Sequence, residues 1–262
     1  MSHHRSPVDP SPPERLVPLL LPPVEEPSPR RGRLFWTAMG LILLLAFILT
    51  SLFPQGFPFA WPAALPAGAP SWARDAQRAI ALIATETSQG TGFNVAPQGL
   101  FVTAAHVAQW CESCSVTVLW GPRYRGTVMA EDDVLDVALL DLKGKPLLAP
   151  GTLPALPLRA SSEDLQPGDT IWVLGNPEDQ LGVLTEGRFR GVYPDPRHGN
   201  VLILFVPVQH GHSGSPVLDE EGRVVGMVIA LGIIEELETQ VQVGVALPVE
   251  ALWDILEKAP HE

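Results

Sequence analysis

Residues 211–230, "GHSGSPVLDEEGRVVGMVIA", decide the fold. Ser213 stands between Gly211 and Gly214, and the apolar run "SPVLD" (215–219) follows at once. A turn rich in Glu and Gly leads into a second run, "RVVGMVIA" (223–230). Two short runs of β-branched residues around a Gly turn read as a β-hairpin. A serine elbow of the α/β-hydrolase kind needs a helix after the serine, then an acid and a histidine downstream. Here a strand follows, and the only later histidine is His261. That architecture is excluded.

The pattern extends in both directions. Upstream come "AIALIATE" (79–86), "GTGFNVA" (90–96), "GLFVTA" (99–104), "SVTVLW" (115–120), "YRGTVMA" (124–130) and "LDVALLDL" (135–142). After a segment rich in Leu and Pro, a second set runs "TIWVLG" (170–175), "VLTEGRFRGV" (183–192), "VLILFVPV" (201–208), 215–219, 223–230 and "VQVGVALP" (241–248). Short strands separated by turn residues predict an all-β barrel or sandwich, and two sets of six suggest two packed barrels. Only 103–110 and 248–259 read as helical. In the second, Val249, Leu252, Ile255 and Leu256 share a face at helical spacing.

The N-terminal quarter is different. Residues 1–33 carry nine prolines and little apolar periodicity, so disorder is expected. Residues 34–53, "LFWTAMGLILLLAFILTSLF", have no charge, and 20 residues of helix span about 30 Å, the hydrocarbon thickness of a bilayer. A cleaved signal peptide would have a shorter apolar core and a shorter leader. Arg30, Arg31 and Arg33 precede the run, and no charge follows until Arg74. The positive-inside rule then puts the N-terminus in the cytoplasm and the remainder outside. Residues 54–75 read as a Pro/Ala-rich spacer, leaving 76–262 as the outer domain. The chain's net charge is −12, with no Lys/Arg stripe, which argues against a nucleic-acid partner. Cys111 and Cys114 form a C-x-x-C pair, open to either a small disulfide ring or two free thiols.

Acyl transfer by a serine needs an imidazole to take its proton, a carboxylate to orient the imidazole, and N–H donors for the oxyanion. His106 closes "FVTAAHV" at a strand end, Asp136 opens "DVALLDL", and Ser213 lies in its Gly turn. Asp132 and Asp133 compete with Asp136 for the carboxylate role. Taken together, "GTGFNVAPQGLFVTAAHV", "DVALLDL", "GDTIWVLGNP" and residues 211–230 resemble the trypsin-like serine proteases, and within them the bacterial HtrA/Deg branch. The resemblance covers about residues 78–258.

It implies two six-stranded antiparallel barrels with the site in the cleft between them. It further implies His106 as general base, Asp136 as its orienter and Ser213 as nucleophile. The backbone N–H groups of Gly211 and Ser213 would form the oxyanion hole. Ile229, Ala230 and Leu231 would pair with substrate backbone, and Pro207 would floor the pocket before the scissile bond. That pocket, apolar and without an acid, predicts a preference for small or aliphatic side chains.

Two departures stand out: His212 and Ser215 occupy places where the family usually has Asn or Asp and Gly. No PDZ domain is expected after the C-terminal helix. Neither a cofactor nor a metal is expected, and polypeptides are the expected substrates. Two rival readings remain. One is a metal clip at His210-x-His212, for which no H-E-x-x-H or similar set is present. The other is a catalytically silent trypsin-like domain that binds a peptide or partner without cutting.

Overall fold

The strands pair in two groups of six, each closing on itself. A computed structural model describes residues 39–41, 43–44, 62–109, 111, 113–119, 121, 123–143, 153–178, 180–236 and 239–259. Contacts divide the chain into two compact units, 1–54 and 55–262. In the first, residues 39–41 and 43–44 are helical. The rest of the expected spanning segment 34–53, and the expected disorder of 1–33, lie outside the described residues. Among the described residues, no helix is long and apolar enough to cross a membrane.

The second unit begins with a short helix, α1 (Ala73–Gln77), and continues with β1 (Ile80–Ala84), β2 (Gln89–Ala96) and β3 (Leu100–Thr103). Helix α2 (Ala105–Ala108) leads to β4 (Cys114–Val118), β5 (Arg123–Asp132) and β6 (Val137–Lys143). These strands close in the order β1-β2-β3-β6-β5-β4. The second barrel is built from β7 (Thr170–Gly175), β8 (Val183–Asp195), β9 (Gly199–Phe205), β10 (Pro216–Leu218), β11 (Val224–Glu236) and β12 (Thr239–Pro248). It closes as β10-β11-β12-β9-β8-β7, every pairing being antiparallel. Helix α3 (Val249–Glu257) ends the described chain, with Val249, Ala251, Leu252 and Ile255 buried.

Strand periodicity explains why runs without polar alternation form these barrels. Successive side chains point to opposite faces of a strand. In β9, Leu202 and Leu204 join the apolar cluster of the second barrel. Val201 and Ile203 join the larger cluster that also holds Phe93, Phe101 and Leu139 of the first barrel. A strand buried on both faces reads as a continuous apolar run. Cys111 and Cys114, whose state the sequence left open, are disulfide-bonded.

The segment read as a spacer is described from residue 62, and from there it packs on the domain. The indole of Trp72 donates to the carbonyl of Glu220 at 2.8 Å and meets Trp172 edge-on at 6.3 Å. The buried amide of Gln77 donates to Gly182 O at 2.7 Å and to Ala63 O at 3.1 Å.

Candidate active site

His106 and Asp136 come together through two hydrogen bonds. The backbone N–H of His106 donates to Asp136 Oδ1 at 2.9 Å, and the ring Nδ1 meets Oδ2 at 2.7 Å. A carboxylate only accepts, so Nδ1 carries the proton and Nε2 keeps its lone pair in the neutral ring. The Asp136 side chain is largely buried, and the His106 ring is about half exposed. Asp136 adopts φ 61°, a left-handed conformation uncommon for a residue with a side chain. It turns the carboxylate back toward α2 just before β6 begins. The competing acid Asp132 is engaged elsewhere. It accepts the Lys258 ammonium and the N–H groups of Leu135 and Val134, which together hold its carboxyl below the usual range.

The Ser213 turn rests on the first barrel. Ser213 O accepts the N–H of Thr91 at 2.8 Å. A Cβ placed on Gly90 would lie 2.8 Å from Ser213 O and 2.6 Å from the Val107 side chain. Gly90 therefore has the serine turn on one side and the residue next to His106 on the other. Gly211 and Gly214 take φ 94° and 81°. A Cβ on either would stand 2.1 Å from a carbonyl oxygen, Asn176 O and Thr91 O respectively, so neither position accepts a side chain.

Within this turn the backbone donors divide into two sets. His212 N–H donates to Gln209 O, Gly214 N–H to Val228 O and Ser215 N–H to His212 O. The N–H groups of Gly211 and Ser213 donate to no acceptor among the described residues.

The two histidines before Ser213 part company. His210 is exposed, while His212 is 3% exposed and its Nδ1 accepts the N–H of Gln209 at 3.1 Å. Burial pushes the His212 ring below the usual imidazole range. Its Nε2, like the hydroxyl of Ser215, is buried and has no hydrogen-bond partner among the described residues.

Two residues that the sequence reading missed tie the barrels together at this turn. The hydroxyl of Thr91 donates to Gly211 O at 2.7 Å and accepts the N–H of Asn176 at 2.9 Å. Asn176 in turn donates to Ala81 O at 3.0 Å and accepts the N–H of Gly182. A "GN" before a Pro was the only trace of Asn176 in the sequence, and Thr91 left none.

A cleft of about 620 Å³ opens beside the turn, lined by Phe205, Val206, Pro207, Val208, Gln209, Val241 and Gln242. Pro207 is among the residues lining it. Val241 and Gln242, from β12, were not foreseen. Ile229, Ala230 and Leu231 do not line this cleft. They lie on the adjacent strand β11, where Ala230 pairs with Val245 and Leu231 with Gly244.

A comparison with known families matches residues 90–227 to the family described as the trypsin-like peptidase domain. The probable periplasmic serine endoprotease DegP-like of Rickettsia prowazekii is 27% identical over 176 residues, covering 64% of this chain and 33% of that protein. Serine protease HTRA4 of Mus musculus is 32% identical over 182 residues, covering 65% and 34%. The chain thus spans about a third of the length of these curated relatives. Among solved structures, a serine-to-alanine mutant of Rv3671c from M. tuberculosis H37Rv, in an inactive form, superposes with a TM-score of 0.60. It is 25% identical, and the match covers 79% of this chain and all of that one.

Proposed function

Because the chain belongs to the trypsin-like peptidase domain family, we propose that it is a serine endopeptidase acting through Ser213, His106 and Asp136. Ser213 Oγ attacks the peptide carbonyl carbon while His106 Nε2 takes the hydroxyl proton. The C–N bond then breaks, and the imidazolium gives that proton to the leaving amine. Water, deprotonated by the same nitrogen, releases the acyl group. Asp136 holds the ring in the tautomer this needs and stabilises its charged form. The N–H groups of Gly211 and Ser213 are assigned to the oxyanion.

The observation that carries this reading is the pair of hydrogen bonds that Asp136 accepts from one residue, from both the backbone and the ring of His106. A merely structural histidine needs one such contact. Here both together fix the ring's position and its tautomer. The N–H groups of Gly211 and Ser213, which have no acceptor among the described residues, support their assignment to the oxyanion.

The cleft beside the turn carries no charged side chain, so the residue before the scissile bond is expected to be small or aliphatic. A peptide library cleaved mainly after Arg or Lys would contradict that. The chain is further proposed to be held in the cytoplasmic membrane by residues 34–53, with the protease domain outside. The uncharged 20-residue run and the arginines before it support this.

The decisive experiment is labelling of the full chain with a fluorophosphonate probe. The wild type should label and Ser213→Ala should not. Labelling unaffected by Ser213→Ala, or absent from the wild type at neutral pH, would favour a domain that binds polypeptides without cutting them.

A further inference from the structure

The segment that precedes β1 reaches the serine turn through one intervening loop. Gln77, the last residue of α1, is 1% exposed. Its amide donates to Gly182 O at 2.7 Å and to Ala63 O at 3.1 Å. The N–H of Ala63 donates to Leu181 O. Residues 62–77 therefore form a strap, joined at two neighbouring carbonyls to the loop that links β7 to β8.

That loop meets the serine turn with its other end. The N–H of Gly182 donates to Asn176 Oδ1 at 2.9 Å, which closes the loop on itself. Asn176 N–H donates to the Thr91 hydroxyl, and the Thr91 hydroxyl donates to Gly211 O. Glu178 N–H donates to His210 O at 2.9 Å. This last bond bears on the chemistry. His210 C=O and Gly211 N–H belong to one planar trans peptide group, so holding the carbonyl in one direction sets the N–H in the opposite one. Gly211 N–H is one of the two donors assigned to the oxyanion. Glu178 takes φ 49°, a left-handed conformation that costs energy in a residue with a side chain and lasts only where neighbours impose it. The neighbours here are Thr91 at one end of the loop and the strap at the other.

We propose that Gln77 is a positioning residue, acting through Gly182, Asn176 and Glu178 to aim the Gly211 N–H, so that activity requires the 62–77 strap to be docked. The proposal rests on the endopeptidase reading and adds a controlling element to it. Gln77 touches no reacting atom. Without its two donated bonds Gly182 and Leu181 lose their hold on the strap, Glu178 relaxes, and the His210–Gly211 peptide turns away from the oxyanion. The oxyanion exists only from the transition state onward, so the loss belongs in kcat and not in KM.

The test uses the full-length chain and one cleavable peptide. Gln77→Leu keeps the bulk and removes both donors. Its kcat should fall about tenfold, less than the roughly hundredfold that loss of a whole oxyanion donor costs, with KM unchanged. Gln77→Asn, which keeps a buried amide on a shorter stem, should lose less of kcat in the same way. Trp72→Phe removes the bond to Glu220 O elsewhere on the strap, and its kcat should match the wild type. Rates are taken per folded molecule, with the folded fraction from urea titration.

A second measurement does not depend on hydrolysis. Hydrogen exchange is compared between the full-length Ser213→Ala chain and the same chain carrying Gln77→Leu. Fragments covering 176–182 and 209–215 should exchange faster in the second, while β5 exchanges as before. Wild-type kcat in Gln77→Leu, an equal fall in Trp72→Phe, or unchanged exchange over 209–215 would overturn the strap proposal and leave the protease reading intact. Faster exchange over 209–215 in a chain whose wild type cleaves nothing would do the reverse.

Discussion

Thr91 shows how one hydroxyl can hold the Ser213 turn in place. It donates to Gly211 O and accepts from Asn176 N–H, while its own backbone N–H holds Ser213 O. Thr91→Val keeps the shape and the backbone bond but strands a buried carbonyl and a buried N–H. Each orphan costs roughly 1–3 kcal/mol. We expect a stability loss in that range by urea unfolding. Fluorophosphonate labelling of Ser213 should fall as well, and Thr91→Ser should restore both. Wild-type labelling in Thr91→Val would show that the turn keeps its form without this bridge.

His212 makes the opposite kind of prediction. Its folded-state proton affinity is lowered by burial, so near pH 7.5 the ring is neutral in both the folded and unfolded chains. As pH falls below about 6.5, the unfolded chain takes up a proton that the folded chain resists. Stability is therefore complete above the unfolded value and drains away toward acid, by at most about 1.4 kcal/mol per pH unit. His212→Asn, which can still accept the Gln209 N–H, should flatten the decline between pH 7 and pH 5. Equal acid slopes in urea titrations of the two proteins would refute this. His106, Asp136 and Ser213 stood out in the sequence because each stands at a strand end or between glycines. Thr91 was not, because its role is a contact with a residue 120 positions away.

At the level of elements, local pattern succeeded where one period dominated. Helix α3 follows from Val249, Leu252 and Ile255 at helical spacing, and all three are buried. Strand β7 runs over the residues expected of it, 170–175. Strand β11 was expected to stop at residue 230 but continues to Glu236. Gly232 and the glutamates after it look like a loop, and only the ladder from Leu231↔Gly244 to Glu236↔Thr239 makes them a strand. The spacer reading of residues 62–75 failed for a related reason. Helix α1 has five residues, too few for a periodic signal or for stability on its own. It is held by Trp72 against Trp172 and by Gln77 between Ala63 and Gly182. Trp172 and Gly182 lie about a hundred residues downstream, beyond any window of local sequence. The unread elements are thus the ones whose conformation is decided by distant neighbours.

For the molecule as a whole, the proposed topology and the disulfide can test each other. Disulfides persist in oxidising compartments and are kept reduced in the cytosol. The bond between Cys111 and Cys114 would persist in the domain if it lies on the proposed outer side. Orientation is attributed to Arg30, Arg31 and Arg33, since no countervailing charge occurs on the other flank before Arg74. In cells quenched with acid and treated with a maleimide of high mass, the wild-type chain should show no gel shift until a reductant is added. Both thiols should then react. Replacing the three arginines together by Ser removes the retention signal while leaving the apolar span intact. Part of the population should then insert inverted, and that part should react with maleimide before reduction. It should also lose fluorophosphonate labelling by a membrane-impermeant probe. Free thiols in the wild-type chain would rule out the outward placement. An unchanged thiol pattern in the triple Ser variant would show that something other than these three charges sets the orientation.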